Sequence, residues 1–418
     1  MTHALTILPP DHRLCGAVSP PGSKSITNRA LLLAAMAAGT SRVTGALKSD
    51  DTHYMAQAIR AMGAVIDEPD ATSFVVTGDG RLRAPKEALF LGNAGTATRF
   101  LTAAAALVDG VVVVTGDAHM QKRPIGPLVA ALRSLGVDVA APSGCPPVTI
   151  TGRGGFDGDA VTVDAGLSSQ YVSALLMLAA GGTRPVTVML RGDAIGARGY
   201  IDLTCAAMRR FGGRVEARGV AHWIVEHGGY RATDFHVEPD ASAATYLWAA
   251  AALTGGAIDI GASAADFTQP DALAHALISL FPHMPAEIDG SQMQDAVPTL
   301  AVLAAFNATP VRFVGIANLR VKECDRLMAL ATELSRLSPG LALQDGDDLV
   351  IIPVPLAAFR AARIKTYGDH RIAMSLALAG LVVPGVTILD PDCVNKTYPD
   401  YWRDLGGLGV TCVLDTGS

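Results

Sequence analysis

Lys24, Ser25 and Arg29 crowd the entrance of the apolar run SKSITNRALLLAAMAAG, and the same kind of crowding returns along the chain. Asn93, Gly95, Thr96 and Arg99 open LGNAGTATRF; Ser168, Ser169 and Gln170 open SSQYVSALLM; Asp369, His370 and Arg371 open GDHRIAMSLAL. Further charges fall in KRPIGPL with Lys122 and Arg123, in NLRVKECDR with Lys322, Glu323, Asp325 and Arg326, and at Lys396 in NKTYPDYW. Arginine forks suit phosphate and carboxylate, and lysine supplies a point charge. A helix N-terminus adds unpaired N–H groups and a partial positive charge. The chemistry implied is the binding of a strongly anionic occupant. Two like charges about 4 Å apart repel by roughly 4 kcal/mol at an effective dielectric of 20, so two phosphorylated ligands could share a pocket only if neutralised. Asp295 and Glu323 stand among these cations, and embedded carboxylates are what general acid–base chemistry needs; structural ion pairing is the plainer alternative.

Each residue taken alone has a bland reading. A single Lys or Arg near a helix start reads as well as solvated surface charge, and Ser168, Ser169, Asn93, Thr96, Asp240, Asp295 and Asp369 read as well as caps. Ser23 or Ser25 would cap the first helix, and His370 alone reads as structural. Recurrence at one point of a repeated unit favours the functional reading.

The repeat is a polar entrance, an Ala/Leu helix, usually a Gly or Pro break, then a β-branched strand. Copies begin at Ser23, Asn93, Ser168, Asp240, Asp295 and Asp369, 55 to 75 residues apart, a spacing closer to a small βα-type unit than to a solenoid repeat. A second, more amphipathic helix follows each copy, from DTHYMAQAIRAMGAVID to YPDYWRDLGGLGVTCVL, the fourth being QPDALAHALISLF and the fifth RVKECDRLMALATELSRLS. On that fifth helix Lys322 and Arg326 would share a face, with Glu323 about a third of a turn round. Six units divide into two α/β domains of three, one over residues 22–237 and the other over 1–21 plus 238–418, with crossings near 20–22 and 237–240. The N-terminal segment TILPPDHRLCGAVSP is expected to pair with the second domain.

Composition narrows the class. The chain has 418 residues, half of them apolar, and a net charge of −6 without a basic block, which argues against nucleic acid. Six scattered cysteines form no C-x-x-C pair or metal spacing, so a reduced, cytoplasmic chain with no metal site is expected. The N-terminal stretch MTHALTILPPDHR lacks signal-peptide features, and ASAATYLWAAAALTGGAI reads as a buried helix rather than a membrane span. No Walker A loop, Rossmann fingerprint, nucleophile elbow or H-E-x-x-H is present.

Together PGSKSITNRALLLAAMAAG, LGNAGTATRF, KRPIGPL, SSQYVSALLM, NLRVKECDR, GDHRIAMSLAL and NKTYPDYW resemble, in this order and from about Leu14 to Leu405, the EPSP synthase (3-phosphoshikimate 1-carboxyvinyltransferase) family. The resemblance implies two similar α/β domains, each of three βαβαββ units with buried helices, closing on substrates in an interdomain cleft. It implies transfer of the enolpyruvyl group of phosphoenolpyruvate to the 5-hydroxyl of shikimate 3-phosphate by a cofactor-free monomer. By the same resemblance Lys24, Ser25, Arg29, Ser168, Ser169, Gln170, Asp295, Asn318 and Lys322 contact shikimate 3-phosphate. Lys24, Asn93, Gly95, Arg123, Gln170, Arg326, Arg371 and Lys396 surround phosphoenolpyruvate, and Asp295, Glu323 and Lys24 carry the proton transfers.

Two departures from the family pattern stand out. Ala197 replaces a serine phosphate contact, for which Arg198 is a candidate substitute, and Phe100 replaces a proline, which bears on affinity for phosphoenolpyruvate and for its competitor glyphosate. The alternatives are a UDP-N-acetylglucosamine enolpyruvyl transferase and a non-catalytic anion binder of the same fold. GDAHMQKRPIG lacks the reactive cysteine usual in the first, and the second has no use for Asp295 and Glu323 among the cations.

Overall fold

The computed structural model describes residues 3–164, 166, 168–192 and 196–415. The chain forms two compact units, Gly22–Glu238 on one hand and Met1–Pro21 with Pro239–Ser418 on the other. At the core of the Gly22–Glu238 unit are three helices, Lys24–Ala35, Gly95–Ala104 and Ser169–Ala179, buried almost all round. Small Ala, Ser and Thr side chains between Leu and Met let such helices lie close together without a solvent face.

Three sheets enclose these helices and share one topology. In the second, Leu89–Phe90 runs parallel to Asp109–Thr115, which pairs antiparallel with Val148–Arg153, itself antiparallel to Asp138–Ala140. The third repeats the order with Ala160–Asp164, Val186–Arg191, His222–Val225 and Val215–Ala217. The first sheet, Ala37–Thr44 with Ser73–Asp79 and Val65–Asp70, receives its parallel strands from the far end of the unit, Tyr230–Arg231 and Phe235–His236. The sheets sit hard on the helix ends: a Cβ at Gly78 would lie 2.6 Å from the carbonyl oxygens of Ala35 and Ala37.

The other unit is built around Ala241–Thr254, Val297–Ala304 and His370–Ala377. Their fully buried hydroxyls meet, Thr245 Oγ1 lying 3.1 Å from Thr299 Oγ1, which is 3.4 Å from Ser375 Oγ. One sheet repeats the shared topology with Glu287–Asp289, Val311–Val314, Asp348–Ile351 and Ala342–Asp345. In another, Ala362–Ile364 is parallel to Val386–Leu389, and the N-terminal strand Ala4–Leu8 lies antiparallel between Val386–Leu389 and Thr411–Asp415.

The fourth repeat departs from the expected pattern. After the Ala-rich helix, which ends at Gly255 in the left-handed conformation (φ 64°), Ala257–Asp259 pairs only with Cys15–Ala17 among the described residues. In place of a long second helix and hairpin there are short 3-10 turns and the five-residue helix Ala274–Ile278. Pro282 and Pro285 come soon after that helix and withhold the N–H groups a ladder needs. The fifth amphipathic helix also differs from expectation: it runs Arg326–Leu337, capped by Asp325, whose side chain accepts the Met328 N–H. Lys322 and Glu323 therefore lie on the approach to the helix, after the 3-10 segment Ala317–Val321, and not on one helical face with Arg326. All six cysteines are free thiols.

Candidate active site

In the Gly22–Glu238 unit, Ser23 caps the first helix by accepting from the Ile26 N–H, leaving Lys24 and Ser25 in the first turn. Lys24 is buried with its Nζ 3.4 Å from Asp51 of the following helix. One turn on, Arg29 is 2% exposed and its guanidinium joins all three buried helices. It donates to the Ser25 carbonyl (2.8 Å) on its own helix and to Ser173 Oγ (3.2 Å) on the third, and it lies 5.0 Å over the Phe100 ring on the second. Thr204 Oγ1 (2.7 Å) and the Tyr200 carbonyl (3.3 Å) complete its partners, so among the described residues every hydrogen-bond acceptor it uses is neutral. Burial pushes Arg29 down to about 10, which leaves it charged at neutral pH without a carboxylate beside it.

The second and third entrances are tied to each other. Gln170 Nε2 donates to Thr96 Oγ1 at 3.3 Å, and Tyr171 and Arg99 both donate to the Pro124 carbonyl, at 2.7 and 3.0 Å. Arg123 is buried and donates to Asn93 Oδ1 at 3.1 Å, while its neighbour Lys122 is exposed. Gly95 makes room for that guanidinium, since a Cβ there would meet Arg123 Nη2 at 2.9 Å. Ser168 caps its helix through the Gln170 N–H, and Ser169 is buried in the first turn.

In the other unit the cations meet carboxylates. Arg326, 1% exposed, donates to Asp369 through Nε (2.8 Å) and Nη2 (3.2 Å), to Asp295 Oδ1 (3.0 Å) and to Glu323 Oε2 (2.7 Å). Arg371 donates to Asp295 Oδ2 at 2.9 Å, just before the Val297–Ala304 helix, and to the Tyr246 hydroxyl at 3.4 Å, in the second turn of Ala241–Thr254. Lys322 Nζ lies 3.6 Å from Asp295 and Lys396 Nζ 3.9 Å from Glu323. Burial opposes the charge on Arg326, but Asp369, Glu323 and Asp295 reverse that and hold it above the ordinary arginine value. Burial also opposes the charge on Arg371, and Asp295 leads the groups that outweigh it. Asn318 is buried on the 3-10 segment just before Lys322.

Hydrogen bonds and ion pairs thus join Asp295, Lys322, Glu323, Arg326, Arg371 and Lys396 into one cluster, and Asn93 with Arg123 and Gln170 with Thr96 into pairs; three details differ from the sequence reading. Asp240 and Asp369 cap their helices through the Ala243 and Arg371 N–H groups, but Asp295 does not, because its helix begins at Val297 and its carboxylate is taken by two arginines. Asn93 is an acceptor for Arg123 rather than a cap. Arg198 turns to the Val220 carbonyl, Asp202 and the Trp223 ring 5.0 Å away, so those contacts occupy the residue considered as a substitute for a serine at 197. Sequence reading missed Asp51, Ser173, Thr204 and the anchoring role of Asp369; only Asp369 carried a signal, through its motif. Such an arrangement can hold phosphorylated or carboxylated ligands on neutral-partnered cations and can pass protons through carboxylates clamped between cations. Among the described residues no group of three or more His, Cys, Asp or Glu side chains is placed to hold a metal ion, and no helix is long and apolar enough to cross a membrane.

Residues 8–405 match the family described as EPSP synthase (3-phosphoshikimate 1-carboxyvinyltransferase). A 3-phosphoshikimate 1-carboxyvinyltransferase of Rhizobium etli (strain CIAT 652) is 68% identical over 412 residues, 98% of each chain. One from Pseudomonas syringae pv. syringae (strain B728a) is 65% identical over 409 residues, 97% of this chain and 98% of that one. Among solved structures, EPSP synthase from Acinetobacter baumannii superposes with a TM-score of 0.80 at 26% identity, covering 99% of this chain and all of the other.

Proposed function

The chain belongs to the EPSP synthase family, the 3-phosphoshikimate 1-carboxyvinyltransferases, and from that premise we propose how its two basic clusters divide the work. The enzyme transfers the enolpyruvyl group of phosphoenolpyruvate to the 5-hydroxyl of shikimate 3-phosphate, releasing phosphate, as a step of the shikimate pathway. In our reading, Lys24, Ser25, Arg29, Ser168, Ser169 and Gln170, with Asp295, Asn318 and Lys322, hold shikimate 3-phosphate. Lys24, Asn93, Gly95, Arg123 and Gln170, with Arg326, Arg371 and Lys396, hold phosphoenolpyruvate.

The reaction then needs two proton movements. A proton goes to the methylene carbon of phosphoenolpyruvate, which makes the adjacent carbon electrophilic. The 5-hydroxyl oxygen bonds to that carbon and gives up its proton, forming a tetrahedral adduct. Loss of a proton from the new methyl group and of phosphate from the adjacent carbon restores the double bond. We assign the hydroxyl proton to Asp295 and the methylene proton, in both directions, to Glu323 with Lys24. Bound phosphate and carboxylate groups draw the cations partly away from Asp295 and Glu323, which leaves those carboxylates freer to accept protons. Arg326, Arg371 and Arg123 stabilise the charge on the departing phosphate.

The observation that carries this reading is the clamp around Arg326: the carboxylates Asp295 and Glu323 share with Asp369 one buried guanidinium, and lie within reach of Lys322, Arg371 and Lys396. A protein that only bound anions would be better without them. Six free thiols and two soluble charged substrates fit an enzyme of the cytoplasm, where we propose that it acts as a monomer. The test is phosphate release: it is expected only when both substrates are present, and virtually none is expected with UDP-N-acetylglucosamine as acceptor. Release with that acceptor in place of shikimate 3-phosphate overturns the assignment.

A further inference from the structure

Glu333 lies on the Arg326–Leu337 helix seven residues beyond Arg326, close to two turns, and therefore near the same face. Its side chain is fully buried, where a leucine would serve the helix packing better and a carboxylate is costly unless paired and hydrogen-bonded. Three donors supply that pairing. Arg336 Nε is 2.9 Å away, the Lys365 N–H donates to Oε2 at 3.0 Å, and the Tyr367 hydroxyl donates to Oε1 at 2.8 Å. Two of the three belong to the segment Lys365–Asp369, which leads into the His370–Ala377 helix.

That segment is a strained turn. Tyr367 has φ 58° and Gly368 has φ 67°, and a tyrosine takes the left-handed conformation only where its surroundings insist on it. The turn delivers Asp369, whose carboxylate takes Arg326 Nε and Nη2 and the Arg371 N–H at 2.9 Å. One helix therefore grips the turn twice, through Glu333 at Tyr367 and through Arg326 at Asp369.

We propose that Glu333 is a positioning residue: by fixing Tyr367 in its left-handed conformation it sets Asp369, and through Asp369 the guanidinium of Arg326 and the first turn bearing Arg371, against phosphoenolpyruvate. The inference rests on the reading of Arg326 and Arg371 as phosphoenolpyruvate ligands. Neither Glu333 nor Tyr367 touches substrate in this account.

Steady-state kinetics and melting temperatures of Tyr367→Phe, Glu333→Gln, Glu333→Ala and Arg326→Lys in the full chain test it. Tyr367→Phe keeps the ring and removes only the hydroxyl donor. It is expected to raise KM for phosphoenolpyruvate about tenfold while KM for shikimate 3-phosphate stays within about twofold. Glu333→Gln keeps an oxygen for Tyr367 and is expected to fall between wild type and Glu333→Ala. Arg326→Lys is the control for the site itself and must raise KM for phosphoenolpyruvate. If it does and Tyr367→Phe changes neither KM, or changes both equally with a lowered melting temperature, the residue is structural only and the positioning role is overturned. If Arg326→Lys leaves KM unchanged, the site reading fails and takes the positioning role with it.

Discussion

Replacing Arg29 by methionine separates what the fold needs from what the ligand needs. The fall of the Arg29 guanidinium from the ordinary arginine value to about 10 corresponds to about 3 kcal/mol in favour of the neutral form, at about 1.4 kcal/mol for each tenfold change in proton affinity. Its hydrogen bonds to Thr204, Ser173 and the Ser25 and Tyr200 carbonyls return part of that cost. Their acceptors do not all depend on it, because the Thr204 hydroxyl lies 2.8 Å from both Ser173 Oγ and the Tyr200 carbonyl and donates its single proton to one or the other. A methionine fills much of the same volume against Phe100. The ligand-free Arg29→Met protein is therefore expected to be as stable as wild type or up to about 2 kcal/mol more stable. Shikimate 3-phosphate at a hundred times its dissociation constant adds about 2.7 kcal/mol to wild type. Truncating one partner of a desolvated charge pair costs roughly 2–5 kcal/mol, so most of that gain disappears in the variant. Urea unfolding with and without shikimate 3-phosphate measures both quantities. A variant destabilised by more than about 2 kcal/mol that still gains the full ligand increment would refute the reasoning on both counts.

Three further outcomes are expected. Lys24→Met and Glu323→Ala should each lower kcat by about a hundredfold or more with the circular dichroism spectrum unchanged, and near-normal rates would remove them from the chemistry. Gly95→Ala puts a methyl 2.9 Å from Arg123 Nη2, against a guanidinium already held by Asn93; KM for phosphoenolpyruvate should rise about tenfold with little change in melting temperature. Gly78→Ala places its methyl 2.6 Å from two backbone carbonyl oxygens that cannot move aside, and should cost about 2–3 kcal/mol in urea unfolding while leaving both KM values near wild type in the folded fraction.

The buried helices were legible because Ala/Leu runs begin at recognisable caps such as Ser23, Ser168, Asp240 and Asp369. The fourth repeat was harder to read because QPDALAHALISLF has a helical pattern, yet a hairpin after it would need free backbone N–H groups where Pro282 and Pro285 stand. Asp325 reads in the sequence only as one of the charges of NLRVKECDR, which places the start of its helix too early; in the structure its side chain caps Arg326–Leu337. At the site, residue types and motifs identified the participants but not their partnerships. Arg29 meets Phe100, Ser173 and Thr204, the last of them 175 positions away, and no spacing in the chain encodes such meetings. Phe100, read only as a departure from a family pattern, turns out to floor that arginine.

The place of Ala4–Leu8 between Val386–Leu389 and Thr411–Asp415 has a consequence for biogenesis. Residues 4–8 are made long before their sheet neighbours at 386–389 and 411–415. The continuous stretch Gly22–Glu238 can complete itself while translation is still under way, whereas the nascent amino-terminal strand waits for nearly the whole polypeptide. Ribosomes stalled shortly before codon 386 should carry one finished half and one unfinished half whose earliest segment is still open to proteases.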